Sequence, residues 1–319
     1  MRLDTSHMRY LSHDDFRVLS AAEYGSKNHE VIPTNILHQL GGLRSTSATN
    51  RSISELAKIG LISKMRNAKY DGYRLTYHGY DYLALKTFLK RKTVYSTGNQ
   101  IGIGKESDIF TVGDDAGKEN VLKLHRLGRI SFRSIKNNRD YIKAHENLSW
   151  KFLSKIAAEK EFAFMKALYE NGFSVPVPID QSRHCIIMSL IDGTIMRRLL
   201  THDNPSRLYS TLMSFIVRLA NHGLIHCDFN EFNILIKDKF DTPEEEIVVI
   251  DFPQCISISH VDAKRYFDRD VESIKSFFKR KLNFESDYFP EFDRDVKREQ
   301  NLDLLVNASG FSKKEVKEY

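Results

Sequence analysis

The sequence predicts an α+β chain of two unequal modules, a small helical one ending in a two-stranded wing and a larger one with two lobes. Three observations carry this. Apolar residues recur at helical spacing up to about residue 60, switch to strand spacing, and return to helical spacing before a basic stop at Lys90-Arg91-Lys92. Beyond residue 93, glycine-rich, strand and helix segments alternate over the remaining length. The charge divides at the same place: residues 1–95 carry 15 Lys/Arg against 8 Asp/Glu, whereas the whole chain of 319 residues has a net charge of only +6. The predicted division is therefore 1–92 and 93–319, the second module splitting near residue 188 into lobes of about 93–188 and 189–319.

In the first module, helices are predicted at roughly 12–25, with Phe16, Leu19 and Ala22 on one side, at 33–40 behind Pro33, and at 47–60. Gly41-Gly42 and Gly60 are the breaks. Leu61 to Arg66 and Tyr73 to Thr76 read as strands around the turn at Asp71-Gly72. A helix over about 77–90 places Tyr80, Leu83, Ala84 and Phe88 together. Three helices, a wing and a closing helix give the winged-helix order, in which residues 45–60 form the helix that usually faces nucleic acid. Arg44, Arg51 and Lys58 would contact phosphates there, with Lys64, Arg66 and Lys69 on the wing. The competing reading is a module that binds protein or braces its neighbour.

In the second module, IGIGKESDIF offers Gly102 and Gly104 as a sharp turn, with Lys105 and Ser107 as donors to a phosphate. This motif is weak alone, because Ser107-Asp108 stands where a third glycine would complete a kinase loop. Lys123, inside the apolar strand VLKLH, strengthens it, since a lysine in such a strand requires an anion. The helix from Trp150 supplies Glu161, which shares a face with Ala157, Met165 and Leu168 and so needs a cation, whereas Glu159 lies on a wetter face. Between Lys123 and Lys143, basic residues fall every three or four positions, a cationic stripe predicted to order on a phosphate backbone or acidic partner.

The strand expected over 185–193 joins the lobes, with Met188, Ser189, Leu190 and Ile191 lining an adenine pocket. Asn204-Pro205 opens a helix with Leu208, Leu212, Phe215 and Leu219 inside, and Gly223 closes it. HCDFNEFNILI at 226–236 and IVVIDFPQ at 247–254 then place Asp228, Asn233 and Asp251 in the order that phosphoryl transfer from a nucleotide uses. Asp228 would receive or orient the attacking hydroxyl, while Asn233 and Asp251 hold magnesium against the phosphates. A charged helix is expected near 262–281. One such spacing arises by chance, but the ordered set predicts a kinase-like fold.

With those motifs, the chain resembles the RIO family of atypical protein kinases, in its winged-helix-bearing second subfamily. The resemblance runs through nearly the whole length, most specifically in LISKMRNAKYDGYRLTYHGYDYLAL, IGIGKESDIF, LHRLGRISFRSIK, HCDFNEFNILI and IDFPQCISISH. It implies a winged helix followed by a truncated, bilobal kinase domain, with ATP and Mg2+ as cofactors. It implies a Lys123–Glu161 ion pair, Asp228 as acid/base, and Asn233 with Asp251 on the metal. It further implies work on the pre-ribosomal small subunit, among rRNA and assembly factors, with turnover through phosphorylation of Asp251.

Departures from ordinary kinases agree with an ATPase switch. Cys227 replaces the arginine of His-Arg-Asp, Asp251-Phe252-Pro253 replaces Asp-Phe-Gly, and no Ala-Pro-Glu follows. A small-molecule kinase of the aminoglycoside or choline type, a nucleotide-binding scaffold and a winged-helix regulator are the alternatives. The first needs no basic winged helix, and the last leaves residues 96–319 unexplained. No run of 18 apolar residues and no secretory leader is present, and Cys185, Cys227 and Cys255 lack disulfide or metal spacing. These features predict a chain without membrane attachment, in the cytoplasm or nucleus; a monomer acting in the cytoplasm and shuttling through the nucleus is expected.

Overall fold

The structure, a computed structural model, describes residues 3–65, 71–129, 149–306 and 308. The expectations for Arg66, Lys69 and the cationic stripe from residue 130 onward lie outside them. The chain forms two compact units, Met1–Asn99 with Val112–Lys118, and Gln100–Thr111 with Glu119–Tyr319.

The first unit begins with α1, His13–Gly25, whose start is fixed by a reciprocal cap: Ser12 Oγ accepts the Asp15 N–H while the Asp15 carboxylate accepts the Ser12 N–H at 2.8 Å. Helices α2 (Thr34–Gly41) and α3 (Thr46–Lys58) follow, separated by left-handed Gly42 at φ 60°. Strands β1 (Ile62–Met65) and β2 (Gly72–Leu75) pair antiparallel, and α4 (Tyr77–Arg91) closes the unit behind its cap Thr76. Phe16, Leu19, Ala22, Tyr80, Leu83, Ala84 and Phe88 are all buried, so the sequence periodicity marks the core faces.

The second strand starts one residue earlier than expected, at Gly72. A Cβ there would stand 2.5 Å from the Ile32 carbonyl oxygen, and the bare backbone lets Ile32 bridge Tyr73 as a third strand segment.

Strands β3 (Ser96–Ile103), β4 (Ser107–Gly113), β5 (Glu119–His125), β6 (Pro178–Ser182) and β7 (Cys185–Ser189) form one sheet in the order β3-β4-β5-β7-β6. The helix Trp150–Glu170 packs on it, burying Ala157, Ala158, Phe164, Met165 and Leu168. The lobe-joining strand is shorter than the expected 185–193. Its pairing with β5 ends at Asn120↔Ser189, and Gly193 beyond it approaches the Ile236 carbonyl so closely that a Cβ would lie 2.7 Å away.

In the rest of this unit, the helix Pro205–Asn221 starts at the cap Asn204 and ends before Gly223 at φ 96°. Its Leu208, Leu212, Phe215 and Leu219 are buried as the spacing requires. Small sheets hold the functional loops: β8 (Thr194–Ile195), β10 (Ile234–Ile236) and β11 (Ile247–Val249) in the order β11-β10-β8, and β9 (Leu224–Ile225) with β12 (Ile256–Ser257). The helix Ala263–Phe277 runs into a π-helical turn, Phe278–Leu282, so the charged helix expected near 262–281 changes its winding at Phe278. No described helix is long and apolar enough to cross a membrane.

Candidate active site

Strand β5 delivers Lys123 into a setting that removes water from it, for the residue is 6% exposed. Its Nζ donates to Glu161 Oε1 at 2.6 Å and to Asp251 Oδ1 at 2.9 Å. Burial opposes the charge, but the carboxylates of Asp251 and Glu161 outweigh it and hold the ammonium well above its usual range. Glu161 is equally buried; burial raises its carboxyl, and Lys123 and His125 together bring it below the ordinary value. Glu159 instead pairs with Lys155 on the exposed side of the helix.

His125 joins this pair as a partner that the sequence motifs do not single out. Its Nε2 lies 2.9 Å from Glu161 Oε2, so each glutamate oxygen faces one basic group. The signal was legible, because His125 lies two residues after Lys123 on the same side of the strand.

The turn between β9 and β10 shapes the second half of the site. His226 is fully enclosed, and burial lowers its imidazole to about 4. The Asp228 N–H points to Nδ1 at 3.3 Å, which assigns the proton to Nε2, the nitrogen facing the Ile250 carbonyl at 3.3 Å. The neutral ring therefore ties the Asp228 loop to the segment entering Asp251. Phe229 and Phe252 pack edge-on against it.

Asn233 Nδ2 donates to Asp228 Oδ2 at 2.9 Å and to the Asp228 carbonyl at 3.0 Å, leaving its own Oδ1 as an acceptor for a cation. The Ile250 N–H donates to the Asn233 carbonyl at 2.9 Å, setting Asp251 beside it. Asp228 is half-buried; burial and then the Asp251 charge raise its carboxyl above the ordinary value. Cys227 and Asp251 both occupy left-handed backbone, at φ 66° and 71°, a conformation that costs a non-glycine residue on the order of 1 kcal/mol.

A second missed residue accounts for Cys227. Asp270, on the helix Ala263–Phe277, accepts the N–H groups of Cys227 at 2.8 Å and Phe229 at 3.1 Å. Arg269 donates to the Cys227 carbonyl. Burial pushes the Asp270 carboxyl up to about 7, against the pull of those two N–H groups. The signal was an acid within the apolar stripe Phe267, Val271, Ile274.

Lys123, His125, Asp228, Asn233 and Asp251 line a cleft of about 470 Å³. From the sequence-predicted set it collects Gly104, Lys105, Ser107, Lys123, Asp228, Asn233 and Asp251. It also contains Glu106, Asn230, Phe232 and Gln254, which the sequence did not single out. Gly102 is outside the lining, and neither it nor Gly104 has a positive φ. The hairpin therefore turns without the special backbone expected of them. Gly102 is instead confined by Ile109, which a Cβ would meet at 3.2 Å.

Met188, Ser189, Leu190 and Ile191 also lie outside this lining. Ser189 cannot read a base edge through its N–H, because that group donates to the Val177 carbonyl at 3.0 Å. On the first unit, Arg44, Arg51, Lys58 and Lys64 are exposed. Arg51 and Lys58 share one face of α3, with Glu55 between them.

The donor set suits magnesium that arrives with phosphate. Among the described residues no group of three or more His, Cys, Asp or Glu side chains is placed to hold a metal ion by itself. One carboxylate and one amide oxygen, from Asp251 and Asn233, are what a magnesium shared with a nucleotide requires from protein.

Comparison with known proteins agrees with this geometry. Residues 108–289 match the RIO domain family, and residues 8–91 match the family described as Rio2, N-terminal. The serine/threonine-protein kinase RIO2 of Saccharomyces cerevisiae is 60% identical over 98% of this chain and 78% of its own length. Its counterpart in Schizosaccharomyces pombe is 54% identical over 100% and 91%. The crystal structure of the Rio2 kinase-ADP/Mg2+-phosphoaspartate complex from Chaetomium thermophilum superposes with a TM-score of 0.86 at 52% identity, covering 99% of this chain and 96% of that one. The winged helix, the truncated kinase domain and these relatives agree: the chain belongs to the Rio2 family of RIO-domain serine/threonine-protein kinases.

Proposed function

We propose that the chain is an ATP-dependent phosphotransferase working mainly as an ATPase switch in maturation of the small (40S) ribosomal subunit, with Asp251 as phosphoryl acceptor. The observation that carries the acceptor assignment is the contact between Lys123 and Asp251. The Asp251 side chain is 37% exposed while the Lys123 end is enclosed. Added negative charge on Asp251 would find its cation already in place. The Chaetomium Rio2 kinase described as a phosphoaspartate complex supports the same assignment.

Within the proposed reaction, Lys123 orients the nucleotide phosphates and Glu161 holds Lys123. Asn233 and Asp251 would hold magnesium, which when bound supplies positive charge to the phosphates. The Asp251 carboxylate attacks without a proton to lose and ADP leaves; Asp228 orients the water that then hydrolyses the aspartyl phosphate and takes its proton. Gly104, Lys105 and Ser107 border the phosphate end of the cleft. The backbone of Leu190 and Ile191 remains for the adenine, since the Ser189 N–H is engaged.

The ribosomal part of the reading is supported by the basic first unit, with Arg44, Arg51, Lys58 and Lys64 on its surface. We assign rRNA and assembly factors as partners, a monomeric state, and a cytoplasmic site of action with passage through the nucleus. The three free, buried cysteines suit that reducing compartment.

Single-turnover ATP hydrolysis with magnesium tests the enzyme, comparing the parent with Asp228→Ala and Asp251→Ala. Loss of turnover in both is expected; equal rates in all three would leave a nucleotide-binding scaffold. Hydroxylamine-sensitive phosphate on the parent but not on Asp251→Ala is expected of the aspartyl route, and phosphate confined to serine or threonine would refute it.

A further inference from the structure

We propose that Asn230 is a positioning residue for phosphoryl transfer: its side-chain amide fixes the direction of the Asp228 carboxylate. The proposal rests on the acid/base role assigned to Asp228 above.

Two amides hold that carboxylate, one on each oxygen. Asn230 Nδ2 donates to Asp228 Oδ1 at 2.8 Å, and Asn233 Nδ2 to Oδ2 at 2.9 Å. A carboxylate turns about a soft torsion, and donors on both oxygens remove that freedom before the attacking water arrives. Asn233 divides its amide between the carboxylate and the Asp228 carbonyl, and its oxygen belongs to the proposed metal site. Asn230 has no such second duty toward the metal. It lines the cleft beside Asp228.

The loop decides which end of the Asn230 amide faces Asp228. The Phe232 N–H donates to Asn230 Oδ1 at 2.9 Å, closing a two-residue turn that leaves only the NH2 end for the carboxylate. Phe232 is held in turn. The Arg197 guanidinium stands 4.5 Å over its ring, and the Arg197 N–H donates to the Glu231 carbonyl at 2.9 Å. The amide is thus oriented from behind by the loop, and its remaining donor serves Asp228.

Two functions of Asn230 can be separated by side-chain chemistry. Aspartate keeps the acceptor that closes the turn but replaces the donor by a second carboxylate. Serine keeps both an acceptor and a donor on one hydroxyl, and alanine keeps neither. Single-turnover ATP hydrolysis of the full-length chain with Asn230→Ser, Asn230→Asp and Asn230→Ala, beside Asp228→Ala, distinguishes them.

Rates within about threefold of the parent for serine and a loss of about tenfold or more for aspartate and alanine are expected, with half-saturation for ATP nearly unchanged. Asn230→Asp at the parent rate, with the turn kept and the donor gone, would overturn the proposal. Equal losses in all three variants with raised half-saturation would overturn it too, by assigning Asn230 to nucleotide binding. If Asp228→Ala itself turned over like the parent, the underlying functional reading would fall, a distinct result. Thermal melting of each variant identifies any loss due to unfolding, and Asn230→Ser, which retains both hydrogen-bonding groups, then decides.

Discussion

The carboxylate of Asp270 holds Cys227 in its left-handed backbone by accepting the Cys227 N–H at 2.8 Å from below the loop. The other carboxylate oxygen takes the Phe229 N–H, so the residues on both sides of Asp228 hang from one acid. Cys227 stands where an arginine is usual in kinases, yet the backbone beneath it is still fastened. Loop geometry here depends on the helix Ala263–Phe277 through Asp270.

Asp270→Ala should therefore loosen the Asp228 loop. It leaves two enclosed N–H groups without acceptors, a cost of about 2–6 kcal/mol at 1–3 kcal/mol each. Denaturant titration should show the lower midpoint, and single-turnover ATP hydrolysis should slow by at least about tenfold.

Asp270 also gives a signed pH dependence. Its folded carboxyl titrates near 7 against an ordinary 3.8, so between those values the folded chain binds the additional proton. Protonation favours the fold, and stability supplied through this group falls as pH rises through the window. Against Asp270→Asn, which does not titrate there, the parent should gain relative melting temperature as pH falls from about 8 to about 5.

Glu161→Gln removes the charge that shares Lys123 with Asp251. Breaking an enclosed ion pair from one side costs about 3 kcal/mol, which lowers the melting temperature by roughly 6–12 °C. Lys123 then turns wholly to Asp251, and half-saturation for ATP should rise about tenfold. Calorimetry and a nucleotide titration read the two effects separately.

Gly79→Ala tests the first unit. The added Cβ would lie 2.1 Å from the Leu61 carbonyl oxygen and 2.7 Å from Leu75 Cδ1. Backbone must move to admit it, so a loss of about 3 kcal/mol is expected, seen as faster hydrogen exchange in α1, α3 and α4.

Arg51→Glu combined with Lys58→Glu should weaken binding of single-stranded or precursor ribosomal RNA and flatten its dependence on salt by about two charges' worth. Filter binding over a salt series measures both. An unchanged slope would mean that this face of α3 meets protein.

Periodicity and motif order made the winged helix, the Lys123 strand, the Glu161 face and the Asp228, Asn233 and Asp251 set legible in the sequence. These positions lie on regular elements or at short fixed spacing, where local chemistry decides. What was not legible depended on who stands opposite. The Ser189 N–H turned out to be engaged because Val177 pairs with it from a separate strand region. Asp270 lies more than forty residues from the groups it holds, and nothing in its own segment names them. The backbone at Gly102 and Gly104 turns without positive φ, because glycine spacing does not distinguish a bend from close packing.

The hydrogen bond from the Ile250 N–H to the Asn233 carbonyl closes the site-facing end of the β10–β11 hairpin, whose register pairs Ile234 with Val249. The ribbon acts as a caliper: its jaws carry Asn233 and Asp251, and the gap between them is set at the jaws themselves. Residues 238–245 form the distant handle. Lengthening or shortening that connection should leave the spacing of Asn233 and Asp251 at the proposed cation site unchanged, making it the natural place for the hairpin to accept insertions.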